Sequence, residues 1–312
     1  MRIVFLGTPD FAVPSLEKLA RQPGIEVTAA VCQPDRPSGR RAQVEAPAVK
    51  RAALALGIPV YQPERMRGAE ALAWLAAGNP EALAVVAFGQ LLPAPVFSLP
   101  RLGAINAHAS LLPAYRGAAP IQWALAQGEH RTGVTTMCIN AGLDTGDILL
   151  QRAVDIVADE TTVELSRRLA LLAADLMAET FARLAAGSLA QHPQPPGATL
   201  APRLTREDGA IDWHWPAAMI YNRWRGFQPW PGIHTRFRGR QLAILRCRPL
   251  PEATGEPGLL LDQMGTPAVA CGAGALLLEQ VRLEGRQATA GGDFVRGARL
   301  AAGGERLGES LG

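Results

Sequence analysis

The sequence predicts a doubly wound α/β sheet followed by a small β-barrel or sandwich, and three observations predict it. As far as residue 186, short apolar runs alternate with helix-spaced segments, the pattern of βαβ units and a parallel sheet. A proline-rich stretch follows, His192-Pro193-Gln194-Pro195-Pro196-Gly197, whose missing donors and fixed φ hold the chain extended. Beyond it the runs are short, turn-bounded and rich in Gly and Pro, with 217–224 as the one convincing helix. These features put a first domain at 1–186, a linker at 187–206 and a second domain at 207–312.

The elements follow in order. Residues 3–6 form an apolar run ending at Gly7, and 15–20 carry helical spacing. Strand 27–31, helix 49–56 closed by Gly57, short strand 60–61 and helix 69–77 repeat the pattern. Residues 82–88 are continuously apolar, as a central parallel strand buried on both faces must be. Residues 103–108, 133–139 and 148–154 supply further strands. One long helix covers 161–186, with Val163, Leu165, Leu169, Leu172, Leu176 and Phe181 among its apolar positions and Gly187 at its end.

Composition narrows the function. With 48% apolar and 19% charged residues among 312, the chain is an ordinary globular one and not a disordered one. Lys+Arg 31 against Asp+Glu 28 leaves +3, so any nucleic-acid surface must be local. Cys32, Cys138, Cys247 and Cys271 are far apart with no C-x-x-C pair, which argues against a zinc site or disulfide framework. The opening apolar run is too short for a signal peptide, and no stretch of about 18 apolar residues offers a membrane helix. A cytoplasmic protein without a metal is expected, and with no sustained heptad pattern, a monomer. Gly7-Thr8-Pro9-Asp10-Phe11-Ala12 lacks the second and third glycines of a dinucleotide fingerprint, and no P-loop occurs. Hydride transfer and nucleotide hydrolysis are therefore disfavoured.

The densest polar signal is Asn106-Ala107-His108-Ala109-Ser110-Leu111-Leu112-Pro113. Asn106 and His108 are two apart, so on a strand both side chains leave one face, at the carboxyl end where open α/β sheets bind ligands. An amide donor beside an imidazole can hold a carbonyl oxygen as it becomes an oxyanion. In Gly142-Leu143-Asp144-Thr145-Gly146-Asp147, the flanking glycines permit a sharp loop that carries Asp144 toward the sheet end. There its carboxylate would orient His108, favour the imidazolium and accept a proton. Taken singly, each residue also fits an ordinary structural use: a cap, a satisfied histidine, a turn aspartate.

These two strings resemble the signature of the folate-dependent formyltransferases. Phe5-Leu6-Gly7-Thr8-Pro9-Asp10-Phe11, Gln33-Pro34-Asp35-Arg36-Pro37, Gly117-Ala118-Ala119-Pro120-Ile121 and Phe227-Gln228-Pro229-Trp230-Pro231-Gly232 extend the likeness over nearly the whole chain. The resemblance implies a Rossmann-like first domain and an OB-like, tRNA-binding second domain. It implies formyl transfer from 10-formyltetrahydrofolate to the amino group of methionyl initiator tRNA. It places the catalytic set on Asn106, His108 and Asp144, and folate contacts on Ser110, Leu111, Leu112 and Pro113. The loop after Pro37, with Arg40 and Arg41, is expected to reach the acceptor end of the tRNA.

The second domain adds charge. From 203 to 248 there are nine arginines against Glu207, Asp208 and Asp212, a local excess of +6. Arg236-Phe237-Arg238-Gly239-Arg240 reads as a hairpin tip that gathers Arg236, Arg238 and Arg240 for phosphate contacts. Trp213, Trp215, Trp224 and Trp230 suit either base stacking or core packing. Formyl transfer to a glycinamide nucleotide or amino sugar, hydrolysis of formylfolate, and a non-catalytic RNA-binding role are the competing readings.

Overall fold

The computed structural model describes residues 1–38, 43–300 and 304–308. Two compact units emerge: Met1–Pro120 with Arg131–Ile156 and Glu164–Pro202, and Ile121–His130 with Val157–Val163 and Arg203–Gly312.

The first unit is built on β1 (Arg2–Gly7), α1 (Val13–Ala20), β2 (Glu26–Val31), a small hairpin of β3 (Arg36–Ser38) and β4 (Gln43–Glu45), α2 (Ala48–Ala55), β5 (Val60–Tyr61), α3 (Ala69–Gly78), β6 (Ala82–Val86), α4 (Ala94–Phe97) and β7 (Ala104–His108). After α5 (Pro120–Ala126), β8 (Arg131–Cys138), β9 (Ile148–Asp155) and the long α6 (Thr162–Ala185) complete it. The main sheet has the order β5-β2-β1-β6-β7-β8-β9. Strand β6 is buried at every position, as its unbroken apolar run requires. Val4, Leu6, Val31, Leu83 and Val85 meet Met66, Leu75, Phe88 and Val96 in one core cluster. Along α6, Leu165, Leu169, Ala173, Leu176, Met177 and Phe181 are buried at helical spacing.

Four of the six strand pairings in this sheet are parallel and two are antiparallel. β7 pairs β6 in parallel, but β8 runs antiparallel to β7, and β9 antiparallel to β8. Apolar periodicity reports burial and not strand direction, so the reversal leaves no mark in the sequence.

The second unit contains α5, α7 (Ala217–Gly226), β10 (Ile233–Phe237), β11 (Arg240–Leu250), β12 (Leu260–Gln263), β13 (Thr266–Ala270), β14 (Ala275–Leu283), β15 (Thr289–Ala290) and α8 (Gly291–Ala298). Its antiparallel sheet has the order β10-β11-β14-β13-β12, with β15 on β14. Residues 304–308 bridge its two edges. Leu260 N donates to Glu305 O and Leu307 N to Gly258 O on the β12 side, while Gly308 N donates to Arg236 O on β10, and this closes the circuit.

Residues 187–202 pack with the first unit, fastened by a bridge between Ile148 and His192 and another between Arg116 and Leu200. Residues 121–130 fall in the second unit because α5 packs on α7: Trp123 meets Phe227 edge-on at 5.5 Å, and Gly226 lies so close that a Cβ would come 2.6 Å from Gln122 O.

His234 on β10 gives a pH dependence. Burial first, then the Arg206 and Arg236 charges, hold its pKa below the ordinary 6.5. The unfolded chain therefore binds this proton more readily, so stability is full above the unfolded value and declines as pH falls through it. Thermal melts between about pH 7.5 and 5.5 should show a decline that His234→Gln reduces.

Candidate active site

β7 ends at His108, and strand alternation puts Asn106 and His108 on one face at its carboxyl end. His108 is buried, while Asn106 is half-buried and its side-chain amide bonds to none of the described residues. His108 Nε2 lies 2.8 Å from the Tyr115 carbonyl oxygen. A carbonyl only accepts, so Nε2 carries the proton of the neutral ring and Nδ1 is its bare nitrogen. Nδ1 faces Asp144 Oδ2 at 3.7 Å, outside hydrogen-bond range yet close enough for strong attraction once the ring is charged. The Tyr115 carbonyl supplies the hydrogen bond to the imidazole, on the nitrogen opposite the one that faces Asp144. Nothing in the sequence around Tyr115 signals this, because the working group is a backbone oxygen.

Asp144 arrives by an indirect route. Because β8 is antiparallel to β7, Cys138 pairs with Ile105, and Ile139 N donates to Ala104 O. The loop carrying Asp144 is thus rooted three residues short of His108, about 10 Å of strand away. It doubles back, with Cys138 N donating to Asp147 O at 2.9 Å. The expected role of its glycines changes accordingly: Asp144 itself takes the left-handed turn at φ 51, whereas Gly146 supplies room, since a Cβ there would overlap the Cys138 carbonyl. Asp144 Oδ2 accepts the Gly117 N–H at 2.9 Å. Gly117 has φ 127 and sits where a Cβ would come 2.5 Å from Ala201 O, so glycine is required at that donor.

The segment 110–113 is spent internally. Ser110 Oγ donates to Ala114 O at 2.6 Å. The carbonyls of Ser110, Leu111, Leu112 and Pro113 accept from Thr135 Oγ1, Ala114 N, Gln151 Nε2 and Thr199 N respectively. Ser110 and Leu112 are buried, leaving Leu111 and Pro113 partly exposed. The segment therefore offers a shaped apolar ledge whose carbonyls each already accept one bond from the protein.

Cys138, at the root of the Asp144 loop, has its thiol pKa raised by burial and then by Asp147, which keeps it protonated and un-nucleophilic at neutral pH. Among the described residues, no group of three or more His, Cys, Asp and Glu is placed to hold a metal, and no helix is long and apolar enough to cross a membrane.

The arginines are distributed. Arg40 and Arg41 lie outside the described residues. Arg238 and Gly239, both at positive φ, form the two-residue hairpin turn expected there. Arg238 is paired with Glu305 at 2.9 Å, Arg240 donates to Glu284 O, and among the described residues the Arg236 side chain makes a single 3.3 Å bond, to Gly239 O. Of the tryptophans, Trp213 is core, bonded to Thr235 Oγ1 at 3.1 Å, and Trp224 bonds Leu245 O. Trp215 lies under the Arg223 guanidinium at 4.5 Å, and Trp230 is 55% exposed.

Comparison with known proteins places these features in context. Residues 1–181 match the formyl transferase family, and 203–299 match the formyl transferase C-terminal domain. The methionyl-tRNA formyltransferase of Solibacter usitatus is 52% identical over 311 residues, covering 99% of both chains. That of Acidobacterium capsulatum is 51% identical, covering 96% of this chain and 98% of its own. Among solved structures, WlaRD, a sugar 3N-formyltransferase crystallised in the presence of dTDP and 5-N-formyl-THF, superposes with a TM-score of 0.66. It has 15% identity, and the match covers 92% of this chain and 99% of that one.

Proposed function

The chain belongs to the formyl transferase family, and we propose that it transfers the formyl group of 10-formyltetrahydrofolate to the free amino group of methionyl initiator tRNA. The observation that best supports the chemistry is that Asn106 and His108 share one face at the end of β7, with His108 Nδ1 3.7 Å from Asp144. The acceptor is supported by the relatives, alike over the whole length of both units and named for methionyl-tRNA.

In this reading Asn106 donates to the formyl oxygen as it gains negative charge, an interaction stronger in the transition state than in the ground state. Protonated His108 adds Nδ1–H to the same oxygen while the Tyr115 carbonyl holds Nε2. Asp144 stabilises the charged ring and takes the proton that the attacking amine must lose. That proton passes to the folate nitrogen, a poor leaving group unless protonated. Leu111 and Pro113 contribute apolar contact to the folate, and Ser110 and Leu112 hold that ledge from within.

The acceptor is tested by supplying 10-formyltetrahydrofolate with charged initiator tRNA, a glycinamide nucleotide, an amino sugar or buffer alone, and following release of tetrahydrofolate. Release with charged tRNA only is expected; turnover with another amine or with water instead would overturn the reading. The cytoplasm and a monomeric state belong to the same proposal.

The second unit and the loop with Arg40 and Arg41 take the tRNA backbone. Arg236, with its weak backbone bond, is the hairpin charge most available to phosphate. Arg236→Ala should lower the salt slope of tRNA affinity by about one. Arg238→Ala should change it less, because Glu305 already neutralises that guanidinium.

A further inference from the structure

The Asp144 loop overhangs its root by about 10 Å of strand, and a loop so rooted needs an external hold to present a carboxylate in one place. That hold comes from the segment after α6. His192 and Ile148 exchange backbone bonds at 2.8 and 2.9 Å, which brings Gln194 against the loop. Gln194 Nε2 donates to Asp144 O and to Gly146 O, both at 2.8 Å. Its Oε1 accepts from Arg116 Nε at 3.0 Å and Arg116 Nη2 at 2.7 Å. One amide thus spends both N–H donors on the loop and its oxygen on a guanidinium. Arg116 lies between Tyr115, whose carbonyl holds His108, and Gly117, whose N–H holds Asp144. Arg116 is itself pinned to the same segment, by Arg116 N to Thr199 O and Ala201 N to Arg116 O.

We infer that Gln194 is a positioning residue for the proposed formyl transfer: its side-chain amide clamps the Asp144 loop to the Arg116 turn and so sets the carboxylate against His108. It touches no reacting atom. The inference rests on the proposed reaction, and on donor geometry that a carboxamide satisfies and a carboxylate of the same length does not. Glutamate would retain the partner for Arg116 but turn acceptors toward two carbonyl oxygens.

The test is a double-mutant cycle in the intact protein. Gln194→Ala should lower kcat by about 10- to 100-fold, the cost of a misplaced catalytic group, with KM for both substrates within about twofold. Gln194→Glu should lose as much or more. In an Asp144→Asn background, Gln194→Ala should cost less than about twofold, because the group being positioned has lost its function. A residue that merely stabilises the fold would give the same loss in both backgrounds, and such additivity overturns the inference. So would a Gln194→Glu variant with normal kcat, which also serves if the alanine variant folds poorly. The unaltered protein separates the two claims: if it fails to formylate methionyl-tRNA, the function is wrong, whereas an active protein with additive losses condemns Gln194 alone.

Discussion

Asn106→Ala is expected to lower turnover by about 100- to 1000-fold, the usual effect of deleting one oxyanion donor, while changing stability by no more than about 0.5 kcal/mol. The split follows from geometry. The Asn106 amide is half-buried and bonded to none of the described residues, so the folded state loses nothing when it goes. His108→Ala supplies the contrast. It should also lose most turnover, but it removes a buried imidazole and its bond to the Tyr115 carbonyl and costs roughly 1–3 kcal/mol of stability besides. Steady-state formylation and urea midpoints on the two variants measure both quantities. Near-normal turnover in Asn106→Ala would remove that residue from the mechanism.

Gly146→Ala is expected to damage fold and activity together. The new Cβ would overlap a backbone oxygen at Cys138, in the β8 end from which the loop departs, and no side-chain rotation relieves that overlap. Either the loop lifts or the end of the β8 ladder shifts, at a cost above about 2 kcal/mol. Asp144 is two residues away, so lifting the loop also withdraws the carboxylate from His108. Gly142→Ala is the control within the same loop: there the clash is with the Thr145 side chain, which can turn away. A lowered urea midpoint and lost turnover for Gly146→Ala, with a milder change for Gly142→Ala, is the anticipated pair of results.

Much of this could be read from residue order, and the remainder fails for identifiable reasons. Strand β6 and helix α6 announce themselves because burial imposes apolar patterns that secondary structure makes periodic. The pairing of Asn106 with His108 on one face is likewise a matter of counting by two. Helix α8 is hidden by Gly291-Gly292 at its start, poor helix formers retained where a Cβ at Gly291 would overlap Leu278 O. Helix α5 is too short to establish a period. Within the site, Asp144 was marked by its motif, but the route by which it reaches His108 depends on strand direction. Gln194 had no local signal at all: its partners lie 48 to 78 residues away, and its surroundings read only as an extended proline-rich connection.

The bridge formed by residues 304–308 bears on biogenesis. Until those residues leave the ribosome, β12 and the Arg236 end of β10 lack these partners, although Ala210 and Ile211 already pair with β10 at His234, and such open edges can recruit a neighbouring nascent chain. The last described stretch to be synthesised is therefore the latch of the second unit. A chain truncated before residue 304 would keep every proposed catalytic group and leave open strand edges that favour aggregation.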